Sequence, residues 1–152
     1  MALLEEITRR DPTRVPYRMA LVASYARRSM FHLQHNDSAG AFADWNRART
    51  LLGDPARLDS ATRTYGLDLV VVGIAVAQHR RDDRLARELA AQAETLFAAV
   101  PSSSLSDPEL AALRARLLVA TGRRPQAIPL IARLEAIGYR QPDYEWSVRD
   151  RS

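Results

Sequence analysis

A chain of 152 residues with 47% hydrophobic residues, 26% charged residues and no cysteine is long enough to bury one core and too short for two full domains. The missing cysteine excludes disulfide scaffolds, thiolate nucleophiles and cysteine-based zinc sites. Its formal net charge of +4 comes from 22 basic and 18 acidic residues. Every basic residue is arginine, and acids are interleaved throughout, which makes a mild bias rather than a basic arm.

Alanine and leucine dominate, and apolar residues recur at helical spacing almost everywhere, so the pattern predicts an all-α chain. In chain order, helices are expected over Ala2 to Arg10, Pro16 to about His35, Ser38 to Leu52, Ser60 to Arg80, Arg84 to Val100, Pro108 to Thr121 and Pro125 to Ile137. A short last turn is expected after Pro142. Asp11-Pro12, Gly53-Asp54-Pro55, the stretch from Pro101 to Ser106, Gly122 and Gly138 separate these segments. Asp107 is a natural cap, followed by Pro108, whose missing N–H costs nothing there, and by Glu109 at the positive end of the dipole. Asn36 or Asp37, and Asp82 or Asp83, are placed to cap the third and fifth helices. Pro129 is discordant, because a proline inside a helix starting at Pro125 removes a backbone bond; that helix is expected to start late or to bend. The longest apolar run, Leu69 to Ala77, marks the middle helix as buried on several sides.

A proline ends every second helix: Pro12, Pro55, Pro101 and Pro142, spaced by 43, 46 and 41 residues. Each interval holds a helix, a tight connection and a second helix, and such short connections force the paired helices antiparallel. The divisions are a trailing half-repeat (1–12), three repeats (13–55, 56–101 and 102–142) and a tail (143–152). In the first interval Tyr25 and Ser29 precede the Asn36-Asp37 turn, and Ala41, Trp45 and Ala48 follow it. Ala115 and Leu118 before Gly122, with Ala127, Ile131 and Leu134 after it, repeat the spacing. Ala86, Ala90 and Ala93 keep its small residues without the aromatic. This pattern resembles the tetratricopeptide family. The run from Leu117 to Leu130, continuing to Asp143, resembles the end of repeat regions attached to bacterial serine/threonine protein kinases. The resemblance implies an α-solenoid of about seven helices whose first helices line a groove for a protein or peptide segment.

Carried over by that resemblance, the groove positions are Ala26, Met30, Leu33 and Gln34 in the first pair, Val71, Ala75 and Gln78 in the second, and Ala112, Arg116 and Val119 in the third. Because most are small or apolar, membership of the core is an equal expectation for several of them. The half-repeat at 1–12 implies a longer array, or a chain that forms a homo-oligomer through this edge.

Catalytic chemistry finds little support. His32, His35 and Asp37 share a helix end and could in principle ligate a metal, but spacing alone favours a packing residue and a solvated helix end. His79 opens a run of mixed charge that reads as a solvated turn. Ser102, Ser103 and Ser104 sit in a connector with no glycine elbow, and Glu5-Glu6 and Asp82-Asp83 do not form facing carboxylates. Kinase motifs, phosphate loops and dinucleotide fingerprints are missing. The chain is therefore expected to be non-enzymatic and to need no cofactor. The doublets Arg9-Arg10, Arg27-Arg28, Arg80-Arg81 and Arg123-Arg124 could fork onto phosphate. Without interleaved aromatics, nucleic acid is only the second expectation, and exclusive arginine points to codon habit. Glu5 and Glu6 stand where a secretory signal needs basic residues, and the apolar run is about half of a membrane span of roughly 18 residues. A cytoplasmic protein is expected.

Overall fold

The computed structural model describes residues 2–149, with Ala2 and Arg149 described by backbone alone. Among these residues the chain is all-helical: α1 (Ala2–Arg10), α2 (Val15–Gln34), α3 (Ser38–Leu52), α4 (Arg63–His79), α5 (Asp83–Ala98), α6 (Pro108–Ala120), α7 (Arg124–Ala136) and α8 (Pro142–Arg149). Short 3-10 turns occupy Pro55–Arg57 and Ser102–Ser106.

Local chemistry sets the helix starts. Asp37 accepts from Gly40 N at 2.8 Å, Asp82 from Leu85 N at 3.0 Å, and Asp107 from Glu109 N and Leu110 N at 2.8 and 3.1 Å. Each carboxylate thus satisfies amides that the first helical turn leaves without a partner. Helix α7 starts at Arg124 and runs through Pro129, so the late start is ruled out. Helix α4 begins three residues after the expected Ser60, because the segment before it closes on Asp59, which accepts from the Thr62 N–H and hydroxyl at 2.9 and 2.7 Å. The main correction is at the end, where two turns of helix, α8, replace the single last turn. Of the tail, residues 150–152 lie outside the described residues.

Three connections share one geometry. Between α2 and α3, α4 and α5, and α6 and α7, three residues turn the chain, and the middle one is left-handed: Asn36 at φ +58°, Arg81 at +58° and Gly122 at +74°. In each, the following residue donates its N–H five positions back: Asp37 to His32 O at 2.8 Å, Asp82 to Ala77 O at 2.9 Å and Arg123 to Leu118 O at 2.8 Å. This 6→1 bond with a left-handed residue is the Schellman closure of a helix end. Glycine meets that demand freely, asparagine tolerates it, and Arg81 pays a steric penalty for it.

The turns fold each pair back antiparallel. Across α2 and α3, Ser29 Oγ donates to Ala41 O at 2.7 Å, Arg28 forks onto Asp44, and the Arg47 guanidinium lies 6.0 Å from the Tyr25 ring centre. Partners step back along α2 as they step forward along α3. Beyond the three pairs, α2 packs on α4, α3 on α4, α4 on α6, α1 on α2, and α8 on α6. One core cluster spans α2 to α6, and a second joins α6, α7 and α8, including Tyr144 and Val148. Every residue from Leu69 to Ala77 is buried, as the apolar run requires. Trp45 of α3 fixes the first pair to α4: its indole is 1% exposed and donates to Leu69 O at 3.0 Å. Gly73, one turn further along α4, leaves the space that the indole fills. Helix α1 is held by Glu5, which accepts from the Tyr25 hydroxyl at 2.7 Å.

Candidate functional site

Where α2, α4, α6 and α8 meet, they enclose a cleft of about 510 Å3. Helix α2 contributes the stripe Ala20, Ala23, Ser24 and Arg27, at the spacing of one helix face. Ala61, Thr64, Tyr65 and Asp68 come from α4 and the segment before it, and Glu109, Ala112, Leu113 and Arg116 from α6. Tyr139, Gln141, Asp143 and Tyr144 close the far side, from α8 and its lead-in. Small residues on α2 leave the space; titratable and aromatic side chains from the other helices fill its walls.

Arg116 is the most buried of the charged groups, at 5% exposure, and its Nη1 donates to Asp68 Oδ1 at 2.9 Å across α6 and α4. Its Nε, like the Tyr139 hydroxyl, is enclosed and has no hydrogen-bond partner among the described residues. Glu109 and Asp143 form no ion pair with another described residue. Burial pushes the Asp143 carboxyl above the usual range; Asp68 adds to this, while Arg116 and Arg27 oppose it. Glu109 shifts the same way, through desolvation first and then the nearby Asp68 and Asp107 charges. Burial and the same acids push the Tyr139 phenol up to about 12. The rings of Tyr139 and Tyr144 meet edge to face, with centres 5.5 Å apart.

Of the ten groove positions expected from the sequence, Ala112 and Arg116 line this cleft. Ala26, Met30, Leu33, Val71 and Ala75 are buried in the larger core cluster. Gln34 is exposed at the end of α2, and Val119 packs on the smaller cluster. Gln78 donates through Nε2 to Ala120 O at 2.7 Å and so ties α4 to α6. On α2 and α4 the expected positions lie further towards the tight turns than the cleft does. The sequence does not single out Arg27, Asp68, Glu109, Tyr139 and Asp143 as cleft residues, because they come from segments distant in the chain; Asp68 meets Arg116 across 48 residues, and only the Asp-Pro-Glu start of α6 marks any of them locally.

The histidines do not converge. His32 Nδ1 lies 2.8 Å from Asp37 and its Nε2 3.5 Å from Asp44, whereas His35 pairs its Nδ1 with Phe31 O at 2.9 Å. No group of three metal-ligating side chains forms among the described residues. The serine connector folds as a 3-10 turn whose Leu105 and Ser106 carbonyls accept from the two Nη atoms of Arg133 at 2.9 and 2.6 Å. Several doublet arginines already have partners: Arg9 and Arg10 pair with Glu6 on the exposed face of α1, Arg28 with Asp44, Arg123 with Glu94, and Arg124 donates to Val148 O. Among the described residues no helix is long and apolar enough to cross a membrane. Comparison with protein-family models, curated proteins and solved structures finds no match to this chain.

Proposed function

We propose that the chain is a non-catalytic interaction module, a tetratricopeptide-like α-solenoid that receives a protein segment in the cleft framed by α2, α4, α6 and α8. One observation carries this reading: the first helix of each pair contributes side chains to the same cleft. A segment lying there touches all three pairs at once, which suits an extended or helical peptide better than a small metabolite. The pairing of α2 with α3, α4 with α5 and α6 with α7, with α2, α4 and α6 packed in succession, supports the solenoid reading. A cytoplasmic setting within a bacterial signalling protein fits the resemblance of the C-terminal third. Contact with nucleic acid through the arginine doublets has less support, because so many of those guanidiniums already hold carboxylates or carbonyls.

The test is selection of phage-displayed random peptides on the folded protein, followed by titration of the selected sequences. Ala23→Trp, on the partly exposed wall of α2, is expected to abolish binding while leaving the far-ultraviolet dichroism unchanged. Thr64→Trp serves the same purpose from α4. Failure to select any peptide, or undiminished binding to both folded variants, overturns the proposal.

A further inference from the structure

Resting on the reading of the cleft as a peptide site, we propose that it recognises a cationic side chain, arginine or lysine, through the carboxylates Glu109 and Asp143 that line it, with Tyr139 in its wall. The cleft holds three carboxylates and two guanidiniums. Arg116 is spent on Asp68 by a 2.9 Å bond. That leaves Glu109 and Asp143 without an ion-pair partner among the described residues, and Arg27 as the one competing cation, exposed on α2. Carboxylates and a tyrosine in one cleft suit a guanidinium or ammonium, which gains from the fixed charges and, over an aromatic ring, from its quadrupole.

The protonation behaviour of the walls agrees. Desolvation raises both carboxyls above their usual range, although Glu109 remains exposed and Asp143 is half-buried, and an entering cation would offset what that desolvation takes away. Binding is then coupled to proton release, so affinity falls as pH drops through the raised carboxyl range. The charged groups facing this pair are Arg27 from α2, Asp68 from α4, and Asp107 and Arg116 from α6, with Tyr139 beside α8. None of these is a histidine, so the pH response tracks carboxylates alone.

The probe is an acetylated, amidated Ser-Ala-Arg-Ala-Ser peptide, titrated by NMR alongside its citrulline and glutamate counterparts. The arginine peptide is expected to shift resonances of residues around Tyr139 and Asp143, and the citrulline peptide to bind at least about fivefold more weakly, near 1 kcal/mol. Glu109→Gln and Asp143→Asn are each expected to weaken binding severalfold, and Arg27→Gln to strengthen it. Equal binding of the citrulline peptide, preference for the glutamate peptide, or indifference to both carboxyl variants overturns the inference. Phage-selected peptides that Ala23→Trp blocks, but that carry no arginine or lysine, would overturn it while leaving the peptide-cleft proposal standing.

Discussion

Gly73→Ala probes the joint between the first helix pair and α4. A Cβ built there comes within 2.6 Å of Trp45 Nε1, 2.7 Å of Cε2 and 2.8 Å of Cζ2, where carbon contacts prefer about 3.5–4.0 Å. The indole is rigid and 1% exposed, so relief requires it to move by about 1 Å into packed surroundings. Overpacking of this kind costs about 1–3 kcal/mol. The displacement also strains the 3.0 Å bond to Leu69 O, worth about 1 kcal/mol. Against these stands the gain of roughly 1 kcal/mol when alanine replaces a helical glycine. The sum is a net loss of about 1–3 kcal/mol. The decisive comparison is the cycle with Trp45→Ala, itself expected to cost about 3–5 kcal/mol. With the indole gone, Gly73→Ala should become stabilising by about 0.5–1 kcal/mol, its propensity alone. Urea unfolding followed by far-ultraviolet dichroism reads all four proteins. An increase in stability from Gly73→Ala in the parent chain, or the same effect in both backgrounds, would refute the close-approach argument.

Four further outcomes follow from the geometry. Arg81→Gly, at the left-handed position of the α4–α5 turn, is expected to raise stability by about 0.5–1 kcal/mol, and Arg81→Val to lower it; thermal melts distinguish them. Arg28→Ala removes the forked partner of the buried Asp44 carboxylate but leaves Arg47 and His32 3.6 and 3.5 Å away, so it is expected to cost about 1–2 kcal/mol, read by urea midpoint. Asp107→Ala removes the carboxylate that accepts from the Glu109 and Leu110 N–H groups at the start of α6 and should cost about 1 kcal/mol, with faster amide exchange at Glu109 and Leu110. For pH, the Asp143 carboxyl is raised in the folded chain, so its contribution favours folding at low pH and is lost as pH rises through the raised value. Asp143→Asn should therefore stabilise the protein at pH 7. Glu94 runs oppositely: burial raises it, but the bonds from Arg114 and Arg123 outweigh that, so its contribution is present above the unfolded carboxyl range and fades as pH falls through the lowered value. Glu94→Gln should flatten the acid limb of a stability-against-pH curve.

What the sequence discloses follows the range of each interaction. Caps at Asp37, Asp82 and Asp107 are legible because a carboxylate and the amides it serves lie within three residues. Burial of Leu69 to Ala77 is legible because a helix apolar all round has nowhere else to go. Helix α8 exceeds the single turn the sequence suggests: Asp143 and Glu145 make its start look like a solvated end, whereas packing of Tyr144 and Val148 with α6 and α7 helps to sustain it. The cleft was misplaced for a related reason. Periodicity identifies the face of α2 but not how far along that face the neighbouring helices close. Met30 and Leu33 lie where closure is complete, and Ala23 and Arg27 where it is not. Arg28, Arg114, Arg116, Arg123 and Arg133 bridge residues 16 to 48 positions apart, a role that no local spacing reveals.

The tight turns and the long connectors stand at opposite ends of the helix pairs, and only the connector side borders the cleft, through Ala61, Tyr139 and Gln141. The turns are fixed at three residues by their shared hydrogen bonds, whereas the connectors run to ten, nine and five residues, Gly53 to Thr62, Ala99 to Asp107 and Ile137 to Gln141, of which the last alone opens on the same closure, with Gly138 at φ +71° and Tyr139 N donating to Leu134 O at 2.9 Å. Insertions and deletions are absorbed most easily where no such bond pattern constrains the backbone. The rim of the cleft is therefore the part of the molecule most open to evolutionary change, and a descendant could acquire a new partner by lengthening a connector while every helix and every turn stayed as it is.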